Sequence, residues 1–363
     1  MKKIMTVCGQ IETNQLGKSS MHDHVLSDMD SFRGTISDEM RESCPINVDD
    51  KIKLEDLAYL QHGYYGYSAE NWDLKDFDLM KKEVAYFKER GGDSILEPSA
   101  PGISHDISLI KKISDETKVN IIASTGLYVE PTWPEKFLSM DTDQLTAFIQ
   151  DEVDNGIRGT DIKPGHIKSA IRRGTDKEYS LMRAAARVSN ETGLSITAHT
   201  SRATHPDRQR QALQTFIEEG VDTTKLVFCH IHYTFLHIKT ISEFLHDPSS
   251  LKVHLDWSKE IMDAGGNICV DLFGTPLDHE LSGQFHFPDI FRLLGIFELI
   301  KAGYEDQIVV GTDIYQKAMT RTYGGHGYAR ILDFVAPQLL KADISQEVVD
   351  KILIHNPARI LSY

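Results

Sequence analysis

Short apolar runs recur along the chain, each followed by a polar loop and then by a helical stretch. Eight of them read as β-strands: SSMHDHVL, GDSILEPS, VNIIASTG, GHIKSA, LSITAHT, KLVFCHI, GNICVDLFG and QIVVGTD. Most are continuous rather than alternating, the pattern of strands covered on both faces. Between them the apolar period lengthens to that of a helix. Phe77, Met80, Val84 and Phe87 share one face of DFDLMKKEVAYFKERGG, and Gly91-Gly92 ends it. SLMRAAARVSNETG precedes the fifth run and QRQALQTFIEEG the sixth. Strands alternating with helices in this way predict an α/β protein, a (β/α)8 TIM barrel forming one domain over residues 1–363. A doubly wound open sheet is the alternative.

Residues 27–75 exceed one strand-to-helix connection and carry the aromatic cluster LAYLQHGYYGYS. In a barrel this insertion would lie over the C-terminal ends of the strands. It reads as an oligomer contact, which would make the protein a homodimer, or as a packed lid or substrate-recognition loop. The final stretch from Tyr328 reads as two amphipathic helices split by a turn, with Ser345 as N-cap of the second and Glu347 in its first turn.

The composition is that of a folded enzyme-sized chain: 40% hydrophobic and 26% charged residues in 363. A net charge of −15 argues against nucleic acid or an anionic membrane as partner, while leaving room for a local basic pocket. Cys229 and Cys269 sit inside apolar runs and read as buried hydrophobes; no disulfide framework is expected. The N-terminal stretch lacks the apolar core of a signal peptide, and no run is long enough to span a membrane, so a cytoplasmic protein is expected.

Polar residues stand at the ends of these runs. His22 and His24 lie in the first, Lys168 in the fourth, His199 closes the fifth, His230 the sixth and Asp313 the eighth. In a barrel, strand C-termini converge on one mouth. His-X-His on a strand puts both rings on one face, a spacing that suits a metal ion. Taken singly, each has a plain reading: a structural histidine, a helix-capping aspartate, or a lysine paired with a carboxylate. A protonated lysine has no lone pair and cannot ligate. Burial among cations lowers its pKa, and the neutral amine can add carbon dioxide to become a carbamate. His232 and His254 stay open, and Asp271 reads as a partner of a ligand or as a helix cap.

As an ordered set these motifs resemble the phosphotriesterase-like branch of the amidohydrolase superfamily, nearly end to end. IMTVCGQIETNQLGKSSMHDHVL is similar to that family's opening element, GGDSILEPSAPGISHD to its second strand and loop, and STGLYV to its third-strand motif. HIKSA, TAHT, FCHI, VGTD and ILIHNPARIL are similar to its later strands and closing helix. The resemblance implies two divalent metal ions, usually Zn2+. His22, His24 and Asp313 would hold the buried ion and His199 and His230 the exposed one. Lys168, as N6-carboxylysine, would bridge them together with a hydroxide. Asp313 would be the catalytic proton shuttle. Asp23 replaces the family's frequent glutamate at a non-ligand position, and the stretch after Asp313 departs from the lactonase members.

The resemblance further implies a hydrolase acting on a small molecule. A lactonase opening a sugar lactone, in one branch a phosphorylated furanose lactone, is the first expectation. Lys317, Arg321, Arg202 and Lys259 are candidate cations for such a phosphate. Tyr128 would face the pocket, and Tyr323 resembles a lactonase residue. The alternatives are a phosphotriesterase or aryl esterase, a mononuclear deaminase of the same superfamily, and a barrel that binds without catalysis. A deaminase would carry a glutamate acid after the fifth strand, which HTSRATHPDRQ lacks.

Overall fold

The computed structural model describes residues 2–29, 46, 49–61, 68–104, 106–201, 204–237, 240–275 and 288–363. Strands β1 (Lys3–Thr6) and β2 (Gly9–Glu12) form an antiparallel hairpin. It falls outside the eight predicted runs, because its burial is partial and its turn rests on Gly9 at φ +111.

The eight predicted runs form one parallel sheet: β3 (Ser19–Ser20), β4 (Ser94–Glu97), β5 (Asn120–Gly126), β6 (His166–Ala170), β7 (Ile196–His199), β8 (Leu226–Cys229), β9 (Asn267–Val270) and β10 (Ile308–Val310). Each pairs with its neighbour in sequence, as right-handed β-α-β crossovers require. Between the two edges the backbone continues the ladder: Met21 N–H donates to Val310 O at 2.8 Å and Asp313 N–H to His22 O at 2.8 Å. The sheet is thus the barrel of a (β/α)8 fold.

Helices cover its outside. They include α1 (Phe77–Glu89), α2 (Ile107–Thr117), α3 (Thr142–Asn155), α4 (Asp176–Thr192), α5 (Pro206–Glu218), α6 (Asp256–Asp263) and α7 (Asp289–Lys301). Met80, Val84 and Phe87 of α1 are buried, as the periodicity predicts. Odd strand positions such as Ile121, Ala123 and Ile167 pack in the large layer beneath the helices. Met21, Leu96, Ile122, Val227, Cys229, Cys269 and Val309 fill the barrel itself with Ile4 and Leu16 of the N-terminal segment. This alternation puts Lys168 inside the barrel and Ile167 outside it.

One expectation is corrected. His22 and His24 do not lie in a strand: β3 ends at Ser20, and both histidines follow it. Past Ser20 the backbone keeps single ladder contacts, such as Asp23 N–H to Leu96 O at 3.0 Å, while the Asp23 side chain is tied across the seam to the Thr312 hydroxyl and the Ile314 amide.

Two glycines are demanded by close approach. Gly126 has φ +97, and a Cβ there would lie 2.1 Å from the Lys168 carbonyl oxygen. At Gly311 a Cβ would lie 2.8 Å from His22 O.

Of the insertion, the described parts pack against the loop after β10. Asn71 accepts from Ala318 N–H at 2.8 Å, and Gln61 donates to Ala318 O at 2.7 Å. Trp72 packs with Met29 and Ile103, joined by Tyr128 and Tyr315. The C-terminal stretch is two helical segments, 331–341 and 346–361, and Ser345 caps the second through Val348 N–H at 3.3 Å. No helix among the described residues is long and apolar enough to cross a membrane.

Candidate metal centre

The six predicted ligands meet at the C-terminal ends of the strands, all buried. Lys168 lies within β6 and His199 ends β7. His230 follows β8 directly, and Asp313 stands three residues beyond β10. Both break ordinary backbone geometry: His230 has φ +59 and Asp313 φ +46. Left-handed backbone at non-glycine residues is strained and persists only where surrounding contacts fix it. Here the Asp313 amide is fixed by His22 O, and the His230 amide donates to Asp271 Oδ2 at 3.2 Å.

Asp313 Oδ1 lies 3.6 Å from His22 Nε2 and 3.5 Å from His24 Nε2, while Oδ2 is 3.6 Å from His230 Nδ1. His230 Nε2 is 2.7 Å from His199 Nδ1. Lys168 Nζ sits 3.4 Å from His22 Nε2. Tyr128 OH reaches His199 Nε2 at 3.2 Å. Sequence reasoning missed the residues that orient this set. His24 Nδ1 meets Ser99 Oγ at 2.7 Å, and the Ser99 hydroxyl donates in turn to Glu97. The signal was a charged residue closing the second strand run. Asp271 takes the partner reading, accepting from His230 Nδ1 at 2.8 Å. His232, fully buried, brings Nδ1 to 3.6 Å from Asp271.

The electrostatics follow from burial. Desolvation, and then the Lys168 charge, hold His22 well below an ordinary imidazole. Desolvation and then His230 do the same to His199. Both are neutral rings, the form that ligates. Burial lowers the Lys168 pKa. For Asp313, burial pushes the pKa up, but His22, His230 and the bond from His24 outweigh it and hold the carboxyl below its usual range.

These groups fit divalent cations. Ligand atoms of His22, His24 and Asp313 lie within 4.8 Å of one another, as do those of His22, His230 and Asp271. His22 Nδ1 is buried and makes no hydrogen bond, with Asp271 Oδ2 3.3 Å away. Two ring nitrogens at the His199–His230 distance present lone pairs that a cation or a shared proton must satisfy. Imidazole with carboxylate is a donor set suited to zinc and related ions.

Two of the proposed phosphate cations have partners of their own. Lys317 Nζ is paired with Glu70 at 3.0 Å, tying the insertion to the loop after β10, and lies 5.8 Å over the ring of Tyr323. Arg321 stacks on Tyr86, 3.4 Å from the ring centroid, and its amide donates to Glu83. Lys259 sits in α6, which descends to the entry of β9. Arg202 lies outside the described residues. His166 is a buried barrel residue whose Nδ1 lies 2.9 Å from Ser195 Oγ.

A model of the phosphotriesterase family matches residues 2–257 and 249–361. The N-acetyltaurine hydrolase of Mus musculus is 31% identical over 372 aligned positions, covering 99% of this chain and 98% of that protein. A resiniferatoxin-binding protein from Rhodobacter sphaeroides superposes with a TM-score of 0.85 at 26% identity, over 99% of this chain and 94% of that one. A lactonase from Listeria monocytogenes shares the fold, with a TM-score of 0.74 at 22% identity, over 99% and 98% of the two chains.

Proposed function

The chain belongs to the phosphotriesterase family, and from that premise we propose that it is a metal-dependent hydrolase cleaving the acyl bond of a small N-acyl amide. The observation that carries the hydrolase reading is the convergence of the Asp313 carboxylate on His22, His24 and His230 beside a buried lysine. Similarity to N-acetyltaurine hydrolases along nearly the whole chain supports an amide as the bond cut.

His22, His24 and Asp313 would hold one divalent ion and His199 and His230 a second, with Lys168 between. Lys168 has the environment for carbamate formation: the neutral amine adds carbon dioxide, forming the N–C bond and releasing one proton. Bound divalent ions lower the pKa of water from 15.7 towards roughly 7 and polarise an acyl oxygen. Asp313, kept anionic, takes the proton from the attacking water and delivers it to the leaving amine as the C–N bond breaks. Tyr128 keeps its proton, because burial and then the Asp313 charge raise its pKa well above 10. Its hydroxyl, beside His199, orients the acyl oxygen as a donor. Burial around these groups keeps bulk water from competing.

A second reading, lactone opening, is favoured by the Tyr128 position, which the lactonase resemblance anticipates. Here the same steps break C–O instead of C–N.

The test is a hydrolysis screen of the zinc-loaded protein against N-acetyltaurine, other N-acyl amides, and sugar lactones with and without phosphate. Turnover of anionic amides above lactones is expected. Turnover of lactones alone would move the assignment to the second reading, and inertness towards both classes would overturn it. Near two ions per chain is the expected stoichiometry, against one for a deaminase.

A further inference from the structure

Glu97 ends β4, and Pro98 follows it. Proline fixes its own φ and brings no N–H, so the chain turns stiffly at the strand end. Ser99 comes back onto the carboxylate: its amide donates to both Glu97 oxygens at 3.3 Å, and its hydroxyl donates to Oε1. The strand end is itself anchored, since the Ser124 hydroxyl donates to Glu97 O at 3.0 Å. His24 is held from the opposite side. Its amide donates to Ile314 O at 3.1 Å, and Tyr328 OH donates to its carbonyl at 2.7 Å. The β10 side thus fixes the His24 backbone, and the ring meets the β4 side through Nδ1, 2.7 Å from Ser99 Oγ and 3.7 Å from Glu97 Oε1. All three side chains are buried, so bulk water does not compete for these bonds.

The direction of the chain of bonds follows from its last member. A carboxylate only accepts. The Ser99 hydroxyl has one proton and gives it to Glu97, so towards the ring it can only accept. Nδ1 therefore carries the His24 proton, and Nε2, 3.5 Å from Asp313 Oδ1, keeps its lone pair. Asp271 stands in a different relation to the centre. It lies 2.8 Å from His230 Nδ1 and 3.3 Å from His22 Nδ1, two rings that would belong to different ions. Asp271 thus serves both halves of the centre, whereas Glu97 reaches it through His24, on one side.

We infer that Ser99 and Glu97 are positioning residues that lock His24 as the Nδ1–H tautomer, and that they thereby set the affinity of the ion at His22, His24 and Asp313 separately from that of the ion at His199 and His230. This rests on the metal-dependent reading above. Partners that orient a ligating histidine act on metal affinity through the ring they hold.

The metal-free protein labelled with 15N-histidine reports the tautomer directly, the His24 resonances being assigned by their loss in His24→Gln. Wild type and Ser99→Thr, which keeps the hydroxyl, should show Nδ1 protonated and Nε2 bare. Glu97→Gln places an amide donor beside Ser99 and lets the hydroxyl turn towards the ring, so both tautomers should appear. Ser99→Ala removes the acceptor of Nδ1–H and should mix them as well. Zinc titration against a chromogenic chelator then reads the two ions. Ser99→Ala should weaken one of them by about 10–100-fold and leave the other at wild-type affinity. Ser99→Thr should restore both. Glu97→Gln carries both readings if Ser99→Ala does not fold. A wild-type His24 protonated at Nε2, or an unchanged tautomer in the Ser99→Ala and Glu97→Gln proteins, would overturn the relay. Wild-type affinity at both ions, or equal losses at both, would overturn its selectivity. If wild type shows Nδ1–H at His24 but takes up no divalent ion, the relay stands and the metal-dependent reading falls.

Discussion

Asp271 accepts a 2.8 Å hydrogen bond from Nδ1 of His230, and this contact leaves Nε2 as the ring nitrogen that would face a metal ion. Burial would push the Asp271 carboxyl up, but the His230 charge and bond outweigh it and keep it anionic. Partners of this kind typically change metal affinity 10–100-fold, an order-of-magnitude range. Asp271→Asn should therefore weaken metal binding by about that factor, read by competition with a chromogenic chelator. An affinity equal to wild type would show that the ring is held by other means.

Lys168 has no exposed surface, and its amine lies beside His22. Lys168→Ala should lose metal and at least about a hundredfold in turnover, with partial rescue by added short carboxylates. In wild type, 13C-labelled bicarbonate should give a carbamate resonance that the variant lacks. Chelation of the wild type should lower Tm, since an ion bound 100-fold above its Kd stabilises by about 2.7 kcal/mol. Full metal content in Lys168→Ala would remove lysine from the ligand set.

His166 predicts an acid limb in stability. In the metal-free protein, burial and then the charge of the unmodified Lys168 amine lower its pKa to about 3. The unfolded ring takes a proton near pH 6.5 while the folded one stays neutral. Its contribution is thus present above pH 6.5 and is lost as the pH falls from 6.5 towards 3. The full loss is on the order of 5 kcal/mol. His166→Asn should flatten urea midpoints across that window relative to wild type. Identical slopes would place the acid sensitivity elsewhere.

Gly126→Ala should cost about 3 kcal/mol or more, because its Cβ would collide with backbone at Lys168 and φ +97 is strained for alanine. Thermal unfolding reads the cost, and metal content reads the displacement of Lys168. A wild-type Tm would mean β5 and β6 can part without penalty.

The architecture was legible because buried parallel strands need unbroken apolar runs, and every one of the eight is a strand of the sheet. The convergence of the six candidate ligands was legible because a polar residue closing such a run has few places to go except the mouth. What failed was local. His22 and His24 read as strand residues, since nothing in MHDH tells that Asp23 is bound across the seam by Thr312 and Ile314. Arg321 and Lys317 read as free mouth cations, since their partners Tyr86 and Glu70 are far away in sequence. Glu97 and Ser99 went unread because side-chain relays depend on packing that no short motif encodes.

The seam between β3 and β10 joins Asp23 to Thr312, 289 positions along the chain, and to Ile314, 291 positions along. Contacts that distant form late, after most of the loop-closure entropy has been spent. During synthesis, the half of the centre supplied by His22 and His24 emerges early and waits for nearly the whole polypeptide before Asp313 arrives. A nascent chain stalled short of β10 lacks both Asp313 and the strand that meets β3 across the seam. Completion of the barrel and maturation of the enzyme are then a single event.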